Sequence, residues 1–140
     1  MTRVALVGAA HIHTPNFIKK LNAREEVEVA CVWDHDADRA AKNAEQLPGA
    51  TVTDLDAIWA DDQISAVVIC SETDRHRDLV LAGAAAGKGM FVEKPLGFAR
   101  ADAEEMAAAI ERAGVIFQTG YFMRGAAAHQ FVRQQMQAGA

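Results

Sequence analysis

Short apolar runs alternate with longer amphipathic stretches along the whole chain. Val4-Ala5-Leu6-Val7 leads into Gly8, and a helical pattern follows from Pro15 to Leu21. Val27 to Trp33 is the second apolar run; a helix from about Asp36 to Gln46 follows it and stops at Pro48-Gly49. Thr51-Val52-Thr53 reads as a weak third strand, after which Asp54 caps a short helix through Trp59. Ala66 to Cys70 is the fourth run, and Thr73 is placed to cap a helix that ends at Gly87. Met90-Phe91-Val92 is the fifth. The helix from Asp102 to Ala113 carries acids in its first turn and Gly114 just past its end, as the helix dipole and the left-handed C-cap favour. Val115-Ile116-Phe117 forms the sixth strand, and roughly Ala126 to Ala138 is a last helix.

These strands are unbroken apolar runs rather than alternations of period two. Strands of that kind are covered on both faces, as in a parallel sheet. Strand and helix alternating six times then predict an α/β chain with a doubly wound parallel sheet, right-handed crossovers and three αβα layers. The six units divide into two mononucleotide-binding halves.

Composition narrows the function. The chain has 140 residues, the size of one domain, with 51% hydrophobic and 24% charged residues. Its formal net charge is −5 and its 14 basic residues are scattered, so it carries no nucleic-acid footprint. No apolar run approaches the ~18 residues of a membrane span, and the N-terminus enters a strand-like run without a signal-peptide pattern. The two cysteines, Cys31 and Cys70, sit inside apolar runs and read as buried free thiols. A soluble, cytoplasmic protein with neither membrane nor nucleic acid as partner is the expectation.

In a doubly wound sheet the ligand sits at the carboxyl ends of the strands. The first such end is Gly8-Ala9-Ala10-His11-Ile12-His13, which keeps only the first glycine of a dinucleotide-binding turn. Ala10 still admits a close pyrophosphate, and the helix starting near Thr14 offers free N–H groups. Asp34 ends the second strand about 20 residues beyond the turn, where a carboxylate accepts from a ribose diol and repels a 2′-phosphate. That placement favours NAD over NADP, with His35 and Arg39 nearby to soften the exclusion, and N-capping is Asp34's ordinary alternative. His11 and His13 form an H-x-H pair and raise a metal hydrolase as a rival. His35, His76 and His129 lie on other elements without paired spacing, so the ligands fall short and no metal is expected.

Glu93-Lys94-Pro95 places a carboxylate and an amine at the end of the fifth strand, and Pro95 keeps Lys94 extended. Together with His76, Ala86-Gly87-Lys88, Leu96 and the later Gly120-Tyr121-Phe122-Met123-Arg124, this block closely resembles the glucose–fructose oxidoreductase/inositol dehydrogenase (Gfo/Idh/MocA) family. The resemblance runs from Arg3 to Gly139. It implies a Rossmann-type domain with bound NAD(P), a cis peptide before Pro95, and Lys94 as a catalytic or positioning lysine. It also implies Glu93 at the nicotinamide ribose, and Gly8, Ala10, His11, Ile12 and His13 at the pyrophosphate. Asp34 would meet the adenosine ribose and Cys70, Ser71, Glu72 and Thr73 would border the nicotinamide, with His76, Pro95, Tyr121 and Arg124 completing the cofactor site. The chain departs from the family pattern at Ala10 and His13, at Glu72 and Thr73, and at Gly125.

The resemblance further implies residues 1–122 as the cofactor domain. Residues 123–140 would be a linker and helix leading to a substrate domain that this chain lacks. That domain would bring a sugar, inositol or related polyol and an acid–base histidine, in an intact homo-oligomer. Hydride transfer to or from the nicotinamide is the implied activity; a non-catalytic NAD-binding regulator of the same fold is the alternative.

Overall fold

The computed structural model describes residues 1–139. Six parallel strands, β1 (Thr2–Val7), β2 (Val27–Trp33), β3 (Thr51–Val52), β4 (Ala66–Ile69), β5 (Gly89–Val92) and β6 (Phe117–Thr119), form one sheet in the order β3-β2-β1-β4-β5-β6. The order reverses between β1 and β4, the switch point beside which doubly wound sheets bind ligands at the carboxyl edge. The helices α1 (Thr14–Asn22), α2 (Ala37–Ala44), α3 (Leu55–Ala60), α4 (Thr73–Ala85) and α5 (Arg100–Ala113) connect successive strands. A 3-10 turn, Phe122–Gly125, leads to α6 (Ala127–Gln137).

Strands covered on both faces predict two cores, and two are present. Ala5, Val7, Val67, Ile69, Met90 and Val92 point to one face and pack with Leu79, Val80 and Met106 from α4 and α5. Val4, Leu6, Val29 and Val32 point to the other and pack with Ile18 of α1, Ala40 of α2 and Leu47. Each fully buried Leu, Ile or Val removes enough apolar surface from water to contribute roughly 1.5–3 kcal/mol. Both cysteines are buried and unpaired, as their apolar runs predict. Every residue of α6 is exposed, Phe131, Val132 and Met136 among them.

Three local expectations need correction. The sixth strand is Phe117–Thr119 rather than Val115–Phe117. Gly114 ends α5 in a left-handed turn, and Val115-Ile116 carry the chain to the sheet, with Ile116 85% exposed. Thr73 is the first helical residue of α4, and Glu72, not Thr73, is its N-cap. Asp54 stands at the N-cap of α3 without a side-chain bond to the helix. Asp36 does cap α2, accepting from the Arg39 N–H at 3.0 Å. Among the described residues no helix is long and apolar enough to cross a membrane.

Candidate functional site

The turn after β1 is set by Gly8, whose φ of +74° suits glycine and whose Cβ would lie 2.5 Å from the Ser71 side chain. The two strand-end loops therefore touch at the switch point. Gly8 N–H donates to the Trp33 carbonyl at 2.7 Å, and His11 N–H donates to the Cys70 carbonyl at 2.9 Å. The turn then delivers α1, with Pro15 in its first turn. Thr14 begins that helix buried, its hydroxyl oxygen without a partner. Ala10 is half-buried and Ile12 is exposed.

At the β2 end of the crevice the Asp34 carboxylate is buried and fully engaged. Oδ2 accepts from Ala9 N–H and Arg39 Nε, both at 2.7 Å; Oδ1 accepts from Asp36 N–H at 2.9 Å and Arg39 Nη2 at 2.7 Å. Arg39 Nη2 also donates to Glu72 at 2.9 Å, so the post-β2 and post-β4 loops share one guanidinium. Burial alone pushes the Asp34 carboxyl up, but the Arg39 and backbone bonds outweigh it and hold it below 3.8. The same pairing raises Arg39 above its ordinary value. Sequence reading placed Arg39 only in the neighbourhood; its bidentate grip on Asp34 is a tertiary fact.

At the β5 end, Glu93 is 1% exposed. Its Oε2 accepts from Lys94 N–H at 2.8 Å, and its Oε1 lies 3.0 Å from His13 Nδ1. Gly120 makes this possible, because a Cβ there would stand 2.6 Å from Oε2. Lys94 Nζ lies 3.2 Å from His11 Nε2, and His11 Nδ1 accepts from His13 N–H at 3.2 Å. The two imidazoles meet edge to face with centroids 4.8 Å apart. Burial lowers the His11 pKa below 6.5; Glu93 opposes this while Lys94, His13 and His76 reinforce it. The Lys94–Pro95 peptide is cis.

The ligand shortage counted along the sequence changes here, because Glu93 joins His11 and His13. Their ligating atoms lie within 4.8 Å of one another. His76 is fully buried and acts from beneath: its Nδ1 lies 3.0 Å from the Pro95 carbonyl and its Nε2 3.3 Å from the Ser71 carbonyl, tying two loops together. Cys70 is buried, and desolvation with the Glu93 charge pushes its thiol up to about 12. Tyr121 and Arg124 lie exposed around the 3-10 turn; among the described residues their side chains form no hydrogen bond with this cluster. A cleft of about 360 Å³ adjoins it, lined by His13, Glu93, Thr119, Gly120, Phe17 and Phe91. Thr119 contributes a buried hydroxyl without a partner, a feature no motif signalled.

The family described as "Oxidoreductase family, NAD-binding Rossmann fold" matches residues 2–121. The chain belongs to this Gfo/Idh/MocA family. It is 34% identical over 140 residues to a 1,5-anhydro-D-fructose reductase of Ensifer adhaerens, covering 99% of this chain and 42% of that protein. A putative myo-inositol dehydrogenase from Sinorhizobium meliloti superposes with a TM-score of 0.84 at 29% identity, over 99% of this chain and 42% of that one. Two further solved relatives carry cofactors. GenD2 from gentamicin A biosynthesis, in complex with NAD, has a TM-score of 0.78 at 32% identity, over 85% of this chain and 34% of its own. KijD10 from Actinomadura kijaniata, with NADP, has a TM-score of 0.83 at 25% identity, over 99% and 44%. The chain thus spans less than half the length of the relatives it matches.

Proposed function

We propose that the intact protein is an NAD-dependent oxidoreductase that transfers hydride between the nicotinamide and a carbinol carbon of a sugar, inositol or related polyol. Residues 1–122 hold the cofactor, and residues 123–140 lead to the domain that carries the substrate and a second acid–base group. The observation that carries this reading is the meeting of Lys94, from the end of β5, with the His11–His13 turn, from the end of β1, beside the switch point. The fit to a dinucleotide rests on the same turn. Gly8 leaves no room for a side chain against Ser71, and the orphaned Thr14 hydroxyl stands at the start of α1, where anions are favoured.

When bound, the nicotinamide supplies the hydride acceptor. Lys94 orients the substrate hydroxyl and takes its proton. Glu93, held by Lys94 N–H and His13, fixes the loop that aims Lys94, and from the wall of the adjoining cleft it would meet the nicotinamide ribose. His76 keeps that loop on the Ser71 loop. Ala10 and Ile12 leave the pyrophosphate turn uncrowded, the loop Cys70-Ser71-Glu72-Thr73 borders the nicotinamide side, and Tyr121 and Arg124 complete the cofactor site. We assign His11 and His13 to hydrogen bonding rather than to a metal: the Lys94 amine stands 3.2 Å from His11 Nε2, where it would compete with a metal ion, and His11 Nδ1 accepts from His13 N–H. Near-stoichiometric zinc retained after mild chelation overturns that assignment. NAD is preferred over NADP because Asp34 and Glu72 share the single Arg39 guanidinium at the ribose end, which leaves an excess of carboxylate there against a 2′-phosphate. Tighter NADP binding in a calorimetric titration of both cofactors reverses it. The two buried free thiols suit the reducing cytoplasm, and a homo-oligomer is the expected intact form.

Lys94→Ala in the intact protein tests the central assignment. Turnover should fall by about 10²–10⁴-fold, the usual contribution of a general acid–base group, while NAD affinity stays within a few-fold. Near-full turnover makes Lys94 a bystander.

A further inference from the structure

A lysine at the end of a strand is aimed only loosely by its backbone. Its stem carries about 2 kcal/mol of rotamer freedom, and an amine free to sample it is seldom where a reaction needs it. Among the described residues, the single side chain within hydrogen-bonding distance of Lys94 Nζ is His11, through Nε2 at 3.2 Å. We propose that His11 is the positioning residue for Lys94, fixing its amine at the mouth of the crevice through a ring that the turn after β1 has already oriented. This rests on the reading of Lys94 given above.

The ring is held on its other sides. His13 N–H donates to His11 Nδ1, and the His13 ring packs edge-on against it. His13 in turn reaches Glu93, and Glu93 accepts from the backbone N–H of Lys94. The contacts close a circuit: Lys94 amine, His11, His13, Glu93 and back to Lys94. It spans residues 83 apart in sequence and locks side chain and backbone of the same lysine from opposite directions. Glu93 cannot swing away, because Gly120 backs its carboxylate without a Cβ and the side chain is buried. The groups facing His11 are Glu93, Lys94, His13 and His76, and burial disfavours the charged ring. With Nδ1 accepting from His13 N–H, the neutral ring carries its proton on Nε2 and donates it to the lone pair of the Lys94 amine, in the base form that takes the substrate proton. The H-x-H spacing thereby has a purpose. One histidine meets the amine, the other meets the carboxylate, and the residue between them, Ile12, points to solvent.

The test uses two variants of the intact protein that divide the ring's two nitrogens. His11→Asn keeps an acceptor near Nδ1 for His13 N–H but cannot reach Lys94. His11→Gln extends an amide towards the place of Nε2. The expected result is a kcat lowered about 10–100-fold in His11→Asn, the size of effect that a displacement near 1 Å produces. His11→Gln should recover most of it. In protein labelled with ¹³C at lysine Cε, the Lys94 resonance should move in His11→Asn and stay near its wild-type position in His11→Gln. Equal kcat losses in both variants, or a Lys94 resonance unmoved in both, overturn the proposal. Lys94→Ala run in parallel separates the two claims: if it retains turnover the catalytic reading fails, while the resonance still judges the His11–Lys94 contact.

Discussion

The two ends of the crevice solve opposite problems with similar residues. At the β2 end, Asp34 sits in a saturated network: four donors from three residues converge on two oxygens, and Arg39 extends the network to Glu72. At the β5 end, Glu93 and Lys94 are joined through two histidines by longer contacts of 2.8 to 3.2 Å. The first arrangement ties loops together and resists change, because a buried charge stripped of its partners is costly. The second holds an amine and two imidazoles whose donor and acceptor roles can exchange. The difference teaches where partners can still change: the β2 end is satisfied within the fold, while the β5 end keeps groups able to exchange donor and acceptor roles.

The largest effect should come from breaking the satisfied end. Asp34→Ala leaves Arg39 facing Glu72 alone and orphans Ala9 N–H; the expected loss is about 3 kcal/mol, read from urea unfolding. Glu93→Gln keeps the shape and an acceptor, so its loss should be nearer 1 kcal/mol, although turnover of the intact protein should fall far more than stability. A stability loss for Glu93→Gln as large as that for Asp34→Ala would erase the distinction between the ends.

Acid should reach the two ends in sequence. His11 in the fold titrates below its ordinary 6.5, so the unfolded chain binds more protons as pH drops through 6.5, and stability declines there before levelling below the folded value. Asp34 titrates below 3.8, so its stabilisation is complete above that pH and is lost only as pH falls further, through the folded value. Melting temperature followed against pH should show these two steps, and His11→Gln should remove the first. The smallest effect concerns Cys70, whose thiol is pushed up to about 12. It should resist alkylation by iodoacetamide at pH 8 until the chain is unfolded. Rapid labelling of the folded protein would show that the crevice floor opens.

Much of this was legible in the sequence, for identifiable reasons. Unbroken apolar runs reveal strands buried on both faces, which is why β1, β2, β4 and β5 fall where the pattern puts them. The sixth strand slipped because Val115-Ile116 is as apolar as a strand, whereas the left-handed Gly114 and the pairing of Met90 with Phe117 decide the register. Glu93-Lys94-Pro95 announced itself as a motif. Its pairing with His11 and His13 did not, because residues about 80 apart carry no periodicity that links them. For the same reason the sequence counted two candidate metal ligands where the fold gathers three. Spacing singles out Asp34 at the end of β2, yet nothing in that spacing tells that Arg39 occupies both its oxygens.

The exposed α6 has a consequence for how the chain behaves in time. A helix of 11 residues lies near the length at which isolated helices are marginal in water, and no residue of α6 is shielded by the sheet. Its amide hydrogens should therefore exchange with deuterium at rates governed by its own helix–coil equilibrium, while those of β1 and β4 wait for global opening. A protease that requires an extended stretch of backbone should cut between Ala127 and Gln137 first and leave the six-stranded sheet intact.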